Sequence, residues 1–72
     1  MRLNANEYQA NEIIKFIRQN TNLTQKEFAE QIEKSAAWQQ SNELGRANYY
    51  FKDLQKIAKT FDLEIIIKEK DK

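Results

Sequence analysis

The chain of 72 residues is long enough for one small domain, and its 40% apolar and 32% charged residues make it too apolar for a disordered chain and too charged for a membrane span. The formal net charge is only +1, so any attraction to a polyanion must come from how the charges are distributed. Because the chain contains no Cys and no His, disulfides and thiolate metal sites are excluded and the commonest general base is missing, and we expect a cytoplasmic protein without metal or cofactor.

The first helix is predicted over about residues 4–20. Asn4 and Glu7 have the spacing of a capping box. The apolar residues that follow recur on one face of a helix, namely Ala10, Ile13, Ile14 and Ile17. Asn20-Thr21-Asn22 is expected to end this helix, because Asn and Thr favour local side-chain hydrogen bonds. No apolar segment typical of a signal peptide follows Arg2.

Two short helices are predicted next, over about residues 24–32 and 35–44. Thr24 and Glu27 form a Thr-x-x-Glu capping box, which is the clearest helix start in the sequence. Ser35 can cap the helix that follows, and Gly45 stands where a C-terminal cap with positive φ is expected.

A fourth helix is predicted over about residues 50–61 and a strand over about 63–69, within a single domain that covers residues 1–72. The helix has an amphipathic apolar stripe formed by Phe51, Leu54, Ile57, Ala58 and Phe61. Asp62 is expected to end it. The three consecutive β-branched residues at 65–67 disfavour helix and favour strand.

The segment from Leu23 to Asp62 contains Leu-Thr-Gln at 23–25, Phe28-Ala29, Ile32, Ser35, Glu43-x-Gly45, Asn48, Leu54-x-x-Ile57-Ala58 and Phe61. In these features it resembles the lambda-repressor-like, Xre-type helix-turn-helix family, without a gap over about 40 of the 72 residues. The resemblance implies a mainly α bundle of four to five helices that binds operator DNA, to which the residues themselves add a short C-terminal β-strand.

The helix that begins at Ser35 departs from the family pattern. Glu33 stands in the turn where a small residue is usual, and Gln39 and Asn42 stand where apolar residues are usual. Trp38 comes one position early. Two interpretations are open: either the helix is shifted so that Trp38 enters the core and Gln39 points outward, or Trp38 is exposed and contacts DNA or a partner.

The resemblance places this helix in the major groove, with its N-terminal residues toward the base edges. The predicted base-reading residues are Ser35, Ala36, Gln39 and Gln40. Gln can form a bidentate pair with adenine, whereas the Ala36-Ala37 pair can only meet a thymine methyl. The predicted phosphate contacts are Gln25, Lys34, Arg46, Asn48, Tyr49 and Lys52. The alternative is that Gln39-Gln40 is only a solvated helix face.

The C-terminal strand predicts a homodimer. If two copies pair antiparallel about a two-fold axis at Ile66, Glu64 faces Lys68 of the other copy. An axis at Ile65 instead places Asp62 opposite Lys68. The alternative to a dimer is that the strand packs on the helices within one subunit, where it could pair with Arg2-Leu3. The predicted interface consists of Asp62, Glu64, Ile65, Ile66, Ile67 and Lys68.

The leading hypothesis is a sequence-specific binder of double-stranded DNA, acting as a small repressor or autoregulator without a ligand-sensing domain. The alternative is a protein-interaction module on the same fold, such as an antitoxin-like or inhibitor protein, which the weak net charge and Ala36-Ala37 favour. An enzyme is not expected, because Ser35 and Ser41 have no predicted base beside them.

Overall fold

The N-terminal segment forms a short turn before the first long helix. In the structure, a computed structural model that describes residues 1–71, Asn4 caps a 3-10 turn over Ala5–Glu7, and α1 spans Ala10–Thr21. The predicted helix start at residue 4 is therefore wrong. No residue of the turn is buried, so a longer helix would gain nothing from packing there. The helix instead begins where the Glu12 carboxylate accepts a hydrogen bond from the Gln9 N–H at 2.9 Å.

The end of α1 and the start of α2 follow local side-chain chemistry. The chain leaves α1 at Asn22, which has a left-handed φ of 62°. Helix α2 spans Gln25–Gln31. The Thr24 hydroxyl accepts a hydrogen bond from the Glu27 N–H at 3.1 Å, and the Glu27 carboxylate accepts one from the Thr24 N–H at 2.9 Å. The predicted capping box is confirmed.

Helix α3 spans Ala36–Glu43 and follows a tight turn after α2. The turn passes through Glu33, which has a φ of 60°. Ser35 caps α3 as predicted, because its hydroxyl accepts a hydrogen bond from the Trp38 N–H at 3.0 Å. Gly45 follows with the expected positive φ of 76°.

Helix α4 spans Phe51–Thr60, and the chain turns away at Asp62, whose φ is 56°. The Asp53 carboxylate accepts a hydrogen bond from the Tyr50 N–H at 2.8 Å, which satisfies one donor at the start of the helix. Phe51 was expected on the core stripe but is 55% exposed, so that expectation is wrong. Its ring borders an open groove between the N-terminal segment and the C-terminal tail, and the packed stripe begins one turn later.

The hydrophobic core lies between α1, α2 and α4. Its buried members are Ile14, Ile17, Phe28, Ile32 and Ile57. The rings of Phe28 and Phe61 stack with their centroids 4.8 Å apart and an angle of 6° between their planes. This stacking joins α2 to the end of α4. Helix α3 places only Trp38, which is half-buried, against the cluster.

The predicted strand over residues 63–69 does not form in the single chain: residues 63–71 have no regular secondary structure, and the pairing with Arg2-Leu3 is absent. The physical reason is that a strand needs a neighbouring backbone to satisfy its N–H and C=O groups. Ile66 and Ile67 are 70% and 92% exposed. None of the helices within residues 1–71 has the length and apolarity needed to cross a bilayer.

Candidate nucleic-acid interface

Helices α2 and α3 and their short turn expose the start of α3. Helix α3 contacts both α1 and α2, while Ser35, Ala36, Ala37 and Gln40 on its other side are exposed. Three of the four predicted base-reading residues, Ser35, Ala36 and Gln40, therefore lie on an accessible surface.

Gln39, the fourth predicted base-reading residue, is buried, with 0% of its surface exposed. Its amide nitrogen donates a hydrogen bond to the Glu43 carboxylate at 2.8 Å. Positions 39, 42 and 43 lie on the face of α3 that packs against the other helices, so Gln39 has no access to a duplex and its predicted role is wrong. The shift proposed for α3 does not occur, and Trp38 is half-buried at the edge of the core.

A buried ion pair supports α3 from behind. The Arg18 Nε and Nη2 atoms lie 2.6 Å and 2.9 Å from the two Glu43 carboxylate oxygens. The Arg18 Nη1 atom also donates to the Leu23 carbonyl at 3.0 Å. Burial raises the pKa of Glu43, but hydrogen bonds from Arg18, Gln39 and Gln25 together with the Arg18 charge outweigh it, and the net pKa is lowered. The carboxylate is therefore charged at neutral pH.

Lys34, a predicted phosphate contact, is already engaged within the chain. Its ammonium lies 3.3 Å from an Asp53 carboxylate oxygen and 5.0 Å from the centre of the Trp38 ring. Burial raises the pKa of Asp53, but the Tyr50 N–H and the Lys34 charge lower it further than burial raises it. Lys34 therefore neutralises a buried carboxylate and covers an aromatic ring, and it offers less charge to a polyanion than the sequence suggests.

The remaining predicted phosphate contacts divide into engaged and exposed side chains. The Tyr49 hydroxyl donates to the Ala10 carbonyl at 2.8 Å, and burial raises the pKa of Tyr49. Gln25 is half-buried, and its side-chain hydrogen bond helps to lower the pKa of Glu43. Arg46, Asn48 and Lys52 are exposed. Among the described residues, neither Arg46 nor Lys52 has a carboxylate within salt-bridge distance, and the Lys52 ammonium lies 5.4 Å from the Tyr50 ring centre.

Sequence reasoning missed the Arg18–Glu43 pair, although Glu43 belongs to the motif that carried the resemblance. The two residues are 25 positions apart, so no local spacing connects them. The one available signal was that a charged residue, Glu43, stands in the Glu43-x-Gly45 part of that motif. Within residues 1–71, no cluster of three or more potential metal-ligating side chains occurs.

Comparison of the chain with protein-family models, with curated proteins and with solved structures finds no significant match. The resemblance to lambda-repressor-like proteins therefore depends on the residues quoted from this sequence.

Proposed function

We propose that this protein binds double-stranded DNA as a small lambda-repressor-like transcriptional regulator and enters the major groove with α3. The observation that carries the proposal is the accessible start of α3, where Ser35, Ala36 and Gln40 are exposed. The opposite side of the helix is held to α1 by the Arg18–Glu43 ion pair. An exposed helix that is held on its opposite side by the rest of the domain is the arrangement that major-groove recognition requires.

Direct readout is assigned to the exposed residues of α3. The Gln40 amide carries both a donor and an acceptor, which match the N6 and N7 atoms of adenine. The methyl groups of Ala36 and Ala37 are small enough for close approach and suit contact with a thymine methyl. We therefore expect a site in which A·T pairs lie opposite the start of α3.

Phosphate contacts are assigned to the exposed polar residues that follow α3. Arg46 and Lys52 supply the positive charge, and Asn48 supplies a neutral amide. Gln25 is half-buried at the start of α2, and Lys34 is partly neutralised by Asp53, so both are secondary contributors. With only two strongly available cations, we expect a shallow dependence of affinity on salt concentration.

We further propose that the chain binds DNA as a homodimer in the cytoplasm, joined through the C-terminal tail. The exposed Ile65, Ile66 and Ile67 favour this proposal, because a soluble protein gains by covering such a segment. Antiparallel pairing of two tails about Ile66 would bring Glu64 opposite Lys68 and Asp62 opposite Lys70, opposite charges in both cases. Sedimentation should show a dimer at micromolar concentration; a monomer would contradict this part of the proposal.

Selection of bound sequences from a random duplex pool tests the proposed function. We expect enrichment of a palindrome whose half-site centres lie about one helical turn apart, ~34 Å. Enrichment of a single half-site would retain DNA binding and reject the dimer. No enrichment at low salt, where phosphate contacts are strongest, would reject DNA binding.

A protein-interaction module on the same fold is the second candidate. It is favoured by the engagement of Lys34 with Asp53 and of Tyr49 with Ala10, which leaves a weakly charged face around α3. The discriminating measurement is a mobility shift with mixed duplexes at low salt: binding of any duplex in the micromolar range favours the regulator, and the absence of binding favours the interaction module.

A further inference from the structure

The buried face of α3 is polar, which distinguishes it from the other helices that form the core. Gln39, Asn42 and Glu43 are the buried residues of this helix. Gln39 and Asn42 are 0% and 1% exposed. An amphipathic helix normally places apolar residues at such positions, as α1 does with Ile14 and Ile17.

The two buried amides are only half satisfied. The Gln39 nitrogen donates to Glu43 at 2.8 Å, and the Asn42 nitrogen donates to the Trp38 carbonyl at 2.9 Å. The carbonyl oxygens Gln39 Oε1 and Asn42 Oδ1 have no donor within hydrogen-bond distance among the described residues. Each amide therefore has a buried carbonyl oxygen that accepts no hydrogen bond. This favours open states in which water reaches the oxygen.

These hydrogen bonds also fail to attach α3 to its neighbours. Both amide bonds join residues four positions apart within α3 itself. The polar contacts to α1 all converge on Glu43 at the last turn, from Arg18 and from the Asn11 amide. The first turn of α3 is held by the Ser35 cap and by the half-buried Trp38. The exposed end of α3 packs on its neighbours but has fewer polar contacts to α1 than the last turn has.

We propose that α3 is a conditionally ordered helix, which opens locally more often than α1 and α4 and is stabilised when its exposed face is occupied by a duplex. The stabilisation by a duplex depends on the proposed function. A buried acceptor without a donor raises the population of open states by about 5- to 150-fold. The opening of α3 exposes Gln39 and Asn42 to water while the Phe28–Phe61 stack and the apolar core remain closed.

Native-state hydrogen exchange on the full chain tests whether α3 opens more often than α1 and α4. We expect the hydrogen-bonded amides of α3, such as those of Gln39 and Leu44, to exchange at least ten-fold faster than those of Ile17 and Ile57 after correction for intrinsic rates. Equal protection in α3, α1 and α4 would overturn the proposal, because α3 would then open only by global unfolding.

Two variants distinguish the effect of the polar face of α3 from a change in overall stability. In Gln39→Ile and in Asn42→Leu, the α3 amides should gain at least ten-fold more protection than the α1 amides. Either variant suffices if the other fails to fold. Gln55→Leu is the matched control, because it adds the same kind of apolar side chain at an exposed position of α4. A gain that is equal in all helices, or an equal effect of the control on α3, would contradict the proposal.

The stabilisation of α3 by a duplex is tested with a sequence obtained from the selection. Saturation with this duplex should increase protection of the α3 amides at least ten-fold more than protection of the Ile57 amide. Binding in a mobility shift without that difference would overturn the coupling. If no duplex binds, the proposed function and the coupling both fail, whereas exchange in the free protein still decides whether α3 is the labile helix.

Discussion

Arg18 and Glu43 form a two-point ion pair that joins α1 to the last turn of α3. The guanidinium contacts both carboxylate oxygens, at 2.6 Å and 2.9 Å, and also binds the Leu23 carbonyl. The side chain of Glu43 is 3% exposed and that of Arg18 is 16% exposed. Bidentate geometry at low exposure is the condition under which an ion pair fixes the relative position of two elements. The orientation of α3 therefore depends on this pair.

Removal of one partner of the pair should destabilise the protein strongly. Glu43→Gln leaves the Arg18 charge mostly buried without a counter-ion, and we expect a loss of about 2–4 kcal/mol in the free energy of unfolding. Urea denaturation followed by circular dichroism measures this loss. The double variant Arg18→Met with Glu43→Leu is the control and should recover most of the stability, because it removes both charges. A loss below about 1 kcal/mol in Glu43→Gln would show that the pair does not hold α3.

The protein should lose stability in acid. The pKa values of Glu43 and Asp53 are lowered from their ordinary 4.5 and 3.8 in the folded state. A lowered pKa means that the unfolded chain takes up protons first, so the stabilisation is complete above the ordinary pKa and decreases as the pH falls through the folded value. We expect a constant urea midpoint between about pH 7 and 6 and a decrease from about pH 5 to 3. This acid-induced decrease should be smaller in Glu43→Gln, and an equal decrease would assign it to other carboxylates.

Glu33 should carry backbone strain in the turn between α2 and α3. Its φ of 60° is left-handed, a conformation that favours Gly. The comparison of Glu33→Gly with Glu33→Ala isolates this effect, because both variants lose the exposed contact with Lys56. We expect the Gly variant to be more stable than the Ala variant by about 0.5–1 kcal/mol, after the greater unfolded-state entropy of Gly is included. Equal thermal midpoints would contradict this explanation of the turn.

Gln40 and Arg46 should affect DNA binding in different ways. Gln40→Ala should reduce discrimination at one base pair by roughly 1–3 kcal/mol, while Arg46→Ala should weaken binding to all sequences alike and flatten its salt dependence. Competition binding with single-base variants of the selected site measures both effects. Gln55→Ala, at an exposed position of α4, is the control. If Gln40→Ala and Arg46→Ala change only the melting temperature, the proposed interface is wrong.

Charge exchange in the tail should identify the register of the proposed dimer. With the axis at Ile66, Glu64→Lys alone places two positive charges opposite each other and should weaken the dimer. The double variant Glu64→Lys with Lys68→Glu should restore it. With the axis at Ile65, Glu64→Lys alone faces Ile66 and should have little effect, whereas the double variant places Glu opposite Asp62 and should weaken the dimer. Sedimentation equilibrium distinguishes the two registers, and unchanged association in all variants would reject tail pairing.

The sequence by itself determined the helix boundaries that depend on local hydrogen bonds. The Thr24–Glu27 box, the Ser35 cap and the turn at Gly45 each involve residues close in the chain, so their chemistry is the same whatever the rest of the molecule does. The start of α1 was missed because Asn4 has equally good local chemistry for a 3-10 turn, and no residue of that turn is buried, so packing does not extend the helix to residue 4.

Only the tertiary structure decided which side of α3 faces inward. The sequence left Trp38 open between the core and the surface and placed Gln39 at the surface, yet the structure buries Gln39 completely. The rotation of a short helix about its axis is set by all its neighbours together, and here Glu43 pairs with Arg18 of α1 while α1 and α2 both pack against α3. Phe51 and the isoleucine tail are exposed. Whether a side chain is covered depends on elements far apart in the chain, which no local pattern encodes.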